Sequence, residues 1–151
     1  IMMVDDDPTS LAIGRALLEK RYRLELMHSG VQALGSLKSG NLPDIILLDM
    51  VMPGFSGIEM LKAMKEDERY CEIPVMILTA ENHVEDEMKC YRAGAADFLQ
   101  KPLNHEMLIF KVERLLSCLE LKRENEQLKK GIEQIRRQCN QMLLLKMEQG
   151  H

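Results

Sequence analysis

The chain has 151 residues, 46% of them apolar, and a formal net charge of -4. That length fits one packed domain with an appendage, and no apolar run approaches the ~18 residues that a bilayer-crossing helix needs. Residues 120–151 hold seven Lys/Arg and five Asp/Glu, so the remainder is acidic and lacks the basic surface that nucleic acid demands. Cys71, Cys90, Cys118 and Cys139 are scattered without a CxxC pair. They read as reduced thiols of a cytoplasmic protein, not as a disulfide frame or a zinc site. The chain opens inside an apolar segment too short for a signal peptide, so a few upstream residues are expected to precede it.

The first apolar run, residues 1–4, ends in Asp5, Asp6 and Asp7. Asp7 suits the cap of a helix over 8–20, with Pro8 in its first turn where no amide donor is needed. A strand over 22–27 and a helix over 30–39 follow, the latter stopped by Gly40. "LPD" leads into a strand over 45–48, then a helix over 57–67. "IP" precedes a strand over 75–78, a helix over 83–93, a strand over 96–99 and a long helix from about 104. Five strands alternating with five helices predict an α/β fold, a parallel sheet with helices on both faces. "IILL" and "VMIL" are apolar at consecutive positions, as expected of strands covered on both sides.

In such a sheet, ligands gather beyond the carboxyl ends of the strands. Those positions hold Asp5 and Asp6 after the first strand, Asp49 after the third, Thr79 and Ala80 after the fourth, and Lys101 after the fifth. Clustered carboxylates form an oxygen-rich site for a hard divalent cation, with Mg²⁺ the expected occupant. Asp49 could attack phosphorus to form an acyl phosphate. Thr79 would donate a hydrogen bond to one phosphoryl oxygen, and Lys101 would place positive charge on another. Taken singly, each piece has a plainer reading. "DDDP" suits a helix cap and solvated turn, and a lone Asp after an apolar strand is commonly a loop residue. Their joint appearance at successive strand ends favours the site.

With "VDDDP" (4–8), "MHSGVQAL" (27–34), "ILLDMVMPGFSG" (46–57), "VMILTA" (75–80) and "GAADFLQKP" (94–102), the chain resembles the response-regulator receiver domains of bacterial two-component signalling. Spacings of 44 residues from Asp5 to Asp49, 30 from Asp49 to Thr79 and 22 from Thr79 to Lys101 agree with that family. The resemblance covers about residues 1–118 and implies a flavodoxin-like, doubly wound (βα)5 sheet of order 2-1-3-4-5. It implies Asp49 as phosphoacceptor, Asp6 and Asp49 as direct Mg²⁺ ligands, Asp5 acting mostly through water, and the Val51 backbone carbonyl completing the set. Mn²⁺ or Ca²⁺ would be substitutes. It further implies phosphoryl contacts from Thr79, the Ala80 backbone N–H and Lys101, a cis Lys101–Pro102 peptide, and a switch of Thr79 with Phe98. The plainer reading of Phe98 is a static core aromatic. Val51 and Glu81 occupy positions that tune phosphate lifetime in this family. The apolar Val51 points to moderate or slow self-dephosphorylation, against which Glu81 could orient a water.

Beyond Leu119 a heptad emerges, giving domains 1–118 and 119–149 joined by a continuous helix. Cys118, Asn125, Ile132, Cys139 and Lys146 fall at a, and Leu121, Leu128, Ile135 and Met142 at d. The expected seam of Leu121, Asn125, Leu128, Ile132, Ile135, Cys139 and Met142 suits a parallel two-stranded homodimer, with Asn125 setting register and Glu124 facing Lys129 of a second copy. Gly131 weakens this helix by up to ~1 kcal/mol against Ala. The plainer reading is an amphipathic helix folded back on its own domain.

The resulting expectation is a phosphorylation-controlled module taking phosphate from a histidine kinase or phosphotransfer protein and signalling through a helical stalk, without membrane or nucleic-acid contact. Apart from Mg²⁺-dependent self-phosphorylation and self-dephosphorylation, it is not expected to be an enzyme. The alternative is a phosphorylation-independent dimerisation scaffold of the same fold. A phosphohydrolase would need a phosphate-binding glycine loop or an added general acid, and neither is found.

Overall fold

Strands with no polar face need cover on both sides, and the chain supplies it by alternating strand and helix. The order is β1 (Met2–Val4), α1 (Pro8–Leu18), β2 (Glu25–Met27), α2 (Gly30–Lys38), β3 (Ile46–Asp49), α3 (Gly57–Lys65), β4 (Val75–Thr79), α4 (Val84–Arg92), β5 (Asp97–Gln100) and α5 (His105–Gln149). This computed structural model describes residues 1–80 and 83–150. All five strands pair in parallel in the order β2-β1-β3-β4-β5, as expected of the flavodoxin-like sheet.

The two-residue period of a strand sorts the core into two layers. Val4, Leu48 and Ile77 pack with Ala33, Met60 and Cys90, beneath α2, α3 and α4. The intervening Met3, Leu47 and Leu78 pack with Leu11, Leu108 and Val112, beneath α1 and α5. Helix starts are fixed locally. The Asp7 carboxylate accepts from the Thr9 N–H, and Ser56 and Glu59 form a reciprocal capping box on α3. β2 begins at Glu25, later than the pattern suggests, because the Tyr22 N–H is held by the Leu18 carbonyl at 3.0 Å in the turn that closes α1. Helices α1 and α3 likewise stop at Leu18 and Lys65, short of the expected 20 and 67.

Contacts divide the chain into Ile1–Leu116 and Ser117–His151. In the second unit Leu121, Leu128, Ile132, Ile135 and Met142 lie between 59% and 67% exposed and form an apolar row. Among the described residues, no helix is long and apolar enough to cross a membrane.

Candidate functional site

Strand register places the site. Val4 pairs with Leu48, Asp49 with Leu78, and Thr79 with Gln100. Asp5, Asp49, Thr79 and Lys101 therefore arrive at one rim of the sheet. Backbone bonds hold the joints: Asp5 N–H to Met27 O at 3.1 Å, Met50 N–H to Leu78 O at 3.0 Å, and Lys101 N–H to Thr79 O at 2.7 Å. The Lys101–Pro102 peptide is cis, as the resemblance implies.

Asp5 is fully buried, Asp49 is 7% exposed, and Asp6 faces solvent. The Lys101 ammonium bridges the two buried acids, 2.6 Å from Asp5 Oδ2 and 3.4 Å from Asp49 Oδ1. Its remaining reach goes to Ser10 Oγ at 3.4 Å. The other Asp5 oxygen accepts the Asp7 N–H at 2.9 Å. Asp5 therefore has both oxygens engaged by the protein. Burial and the Asp5 charge push the Asp49 carboxyl up to about 6, against the opposing pull of the Lys101 ammonium and the Val51 N–H. Burial works against the charge on Lys101, but its bond to Asp5 and the charge of Asp49 prevail and raise its pKa.

Asp5, Asp6 and Asp49 each offer an oxygen, and the three lie within 4.8 Å of one another. An all-oxygen donor set with two acids competing for one lysine fits a hard divalent cation. Asp6 is the solvent-facing member of the set. Thr79 is buried at the end of β4, Ala80 is exposed beside it, and Val51 is 61% exposed. Phe98 is half-buried against the α2–α4 layer. Glu81 lies outside the described residues.

Three contributors carried no role in the sequence reading. Gly57 admits α3 to the end of β3, because a Cβ there would stand 2.1 Å from the Asp49 carbonyl oxygen. Its N–H in turn bonds Met50 O at 3.1 Å. Ser10 joins the lysine from the α1 side. Asp97, 4% exposed within β5, binds Lys111 of α5 at 3.1 Å. An acid inside an apolar run was the available signal, since a buried carboxylate needs a partner.

The raised Asp49 pKa carries a stability consequence with a definite sign. Between its ordinary value of 3.8 and about 6 the folded state binds the extra proton, so stability from this group falls as pH rises through that window. Asp49→Asn is expected to be near neutral at about pH 4 and stabilising by on the order of 2 kcal/mol at about pH 7 in chelator. Urea unfolding at both pH values checks this. Saturating Mg²⁺ at about 100 Kd should stabilise the native chain by ~2.7 kcal/mol and the variant far less.

A doubly wound sheet whose rim gathers three acids, a threonine and a lysine defines a receiver of the CheY-like kind. The chain belongs to the response regulator receiver domain family, which it matches over residues 1–113. It is 32% identical over 117 residues to Protein PilH of Pseudomonas aeruginosa, covering 78% of this chain and 97% of that protein. It is 36% identical over 108 residues to a probable cyclic di-GMP phosphodiesterase of Vibrio cholerae, covering 72% of this chain but 24% of that protein. The structure of chemotaxis protein CheY4 of Vibrio cholerae superposes with a TM-score of 0.70 at 29% identity, over 76% of this chain and 95% of that one. The chain thus spans nearly all of one such relative and about a quarter of another.

Proposed function

We propose that the chain is a phosphoacceptor receiver in which Asp49 takes a phosphoryl group from a phosphohistidine donor, a histidine kinase or phosphotransfer protein. The observation that supports it is Lys101 poised between Asp5 and Asp49, with the carboxylates within 4.8 Å of one another. Asp6, Asp49 and the Val51 carbonyl would hold Mg²⁺, with Asp5 reaching it through water. When bound, that ion supplies positive charge for the phosphoryl oxygens and relieves the crowding of the acids.

An Asp49 oxygen forms the new bond to phosphorus as the donor's P–N bond breaks, its electron pair leaving with the imidazole. Lys101 then trades Asp49 for a phosphoryl oxygen while keeping Asp5. Thr79 and the Ala80 N–H bind the other oxygens. Movement of Thr79 frees Phe98 to reposition on the α4 side of β5. Val51 leaves no side-chain hydrogen bond for an attacking water, so self-dephosphorylation is moderate to slow unless Glu81 orients that water. With Mg²⁺ and a small phosphodonor, the intact mass is expected to rise by one phosphoryl group, and Asp49→Ala is expected to abolish the gain. A native chain that stays unmodified with every donor would favour the scaffold reading instead.

Residues 119–149 serve as the dimerising stalk. The exposed row of Leu121, Leu128, Ile132, Ile135 and Met142 needs a partner, and Asn125 and Cys139 complete its seam. Basic Lys122, Lys129 and Arg136 at e would meet each other in an antiparallel pair, whereas a parallel pair sets Lys129 against Glu124. Light scattering is expected to give a dimer for the full chain and a monomer for residues 1–118. Two monomers would remove the stalk from the account.

A further inference from the structure

Strand β5 presents opposite faces to two helices. Phe98 packs on the α2–α4 layer, whereas Leu99 packs with Leu108 and Val112 of α5. Asp97, two residues before Leu99, shares its face and is 4% exposed. Lys111 reaches from α5 to two acceptors on this strand, Asp97 Oδ1 at 3.1 Å and the Phe98 carbonyl. The Phe98 N–H also donates to Asp97 Oδ1, at 2.8 Å. One α5 ammonium thus grips both the backbone of Phe98 and the carboxylate beside it. Because the Asp97 side chain is 6% exposed and that of Lys111 22%, solvent screens this pair little.

A second contact is incomplete. Asp97 Oδ2 is buried with no hydrogen-bond partner among the described residues, and the Arg114 guanidinium, one turn beyond Lys111, stops 3.7 Å away. Buried carboxylate oxygens ordinarily find a donor. An approach of about 1 Å would bring Arg114 within hydrogen-bond range. Lys111 thus hydrogen-bonds Asp97, whereas Arg114 makes only a longer ion pair to it, one that a small shift of α5 would close.

We propose that Asp97, Lys111 and Arg114 form the latch that carries a change at Phe98 into α5. Lys111 moves with the Phe98 carbonyl, and the resulting shift of α5 closes Arg114 onto Oδ2. The three are positioning residues, since none touches the reacting atoms. The latch rests on the phosphoacceptor reading above, and its test separates the two.

Amide hydrogen exchange over residues 105–116 of the full chain, in Mg²⁺ with and without beryllofluoride, reads the latch. Fluorine NMR of the same samples reports whether beryllofluoride binds. The native chain is expected to bind it and to slow exchange in this segment at least about threefold. Lys111→Met and Arg114→Met are expected to bind it equally while losing the slowing. Arg114, with its side chain 60% exposed, can be replaced without disturbing the core. Unchanged slowing in either variant would overturn the latch, as would native binding without any slowing. Absence of bound beryllofluoride in the native chain would instead remove the phosphoacceptor reading, and the latch with it.

Discussion

Replacing Lys101 by methionine is expected to cost about 3–5 kcal/mol of folding stability at neutral pH in the absence of divalent cations. The size follows from what is left behind. Asp5 is fully buried and holds Lys101 at 2.6 Å, and Asp49, 7% exposed, holds the same ammonium at 3.4 Å. Removing that cation strands two carboxylates beside each other, where burial and mutual repulsion already push Asp49 up to about 6. An exposed ion pair lost in the same way costs about 0–1 kcal/mol, so the magnitude distinguishes a buried bridge from a surface contact. Mg²⁺ should restore much of the loss, because a second cation then neutralises the same acids. Urea unfolding with Mg²⁺ and with chelator measures both effects. A loss below about 1 kcal/mol would show that the bridge does not hold the acids in solution.

Gly57→Ala is expected to destabilise by about 3 kcal/mol, near the upper end for added volume in a packed interior. Helix propensity alone predicts the opposite, a gain of about 0.5–1 kcal/mol for Gly to Ala. Sterics decide the sign. The new Cβ would stand 2.1 Å from the Asp49 carbonyl oxygen and 3.0 Å from Met50 Cα, both backbone atoms without a rotamer to yield. Either α3 or the end of β3 has to move, and β3 carries Asp49. Mg²⁺ affinity should therefore fall together with stability. Gly35→Ala is the control, because Gly35 lies within α2 with nothing within 4 Å of its Cβ direction. That variant should gain about 0.5–1 kcal/mol. Equal gains in both variants would contradict the close approach of α3.

The central strands β1, β3 and β4 were legible because they are apolar on consecutive residues, and α1 and α3 because Asp7 and Ser56 cap them. Strand lengths were less so. Tyr22, apolar and aromatic, reads as strand, yet its N–H closes the turn after α1. That bond depends on three-dimensional context rather than on side-chain pattern. At the site, residue types at strand ends identified the acids, Thr79 and Lys101, because topology alone sends strand ends to one rim. The bridging of Asp5 and Asp49 by one lysine leaves no trace in the residue pattern, nor does the contact of α3 with the Asp49 backbone. Asp97 had a visible signal, an acid beside apolar strand residues, but its partners Lys111 and Arg114 lie on the following helix, α5. The heptad was readable as a pattern, and its apolar positions Leu121, Leu128, Ile132, Ile135 and Met142 are exposed on α5.

The most direct measurement locates the phosphoryl group within the chain after transfer from a phosphohistidine donor, by peptide-level mass spectrometry with Mg²⁺ and with chelator. The expected result is a single modified peptide containing Asp49, formed in Mg²⁺ and absent in chelator. A phosphoryl group on any other residue, or transfer that proceeds equally without a divalent cation, would contradict the account.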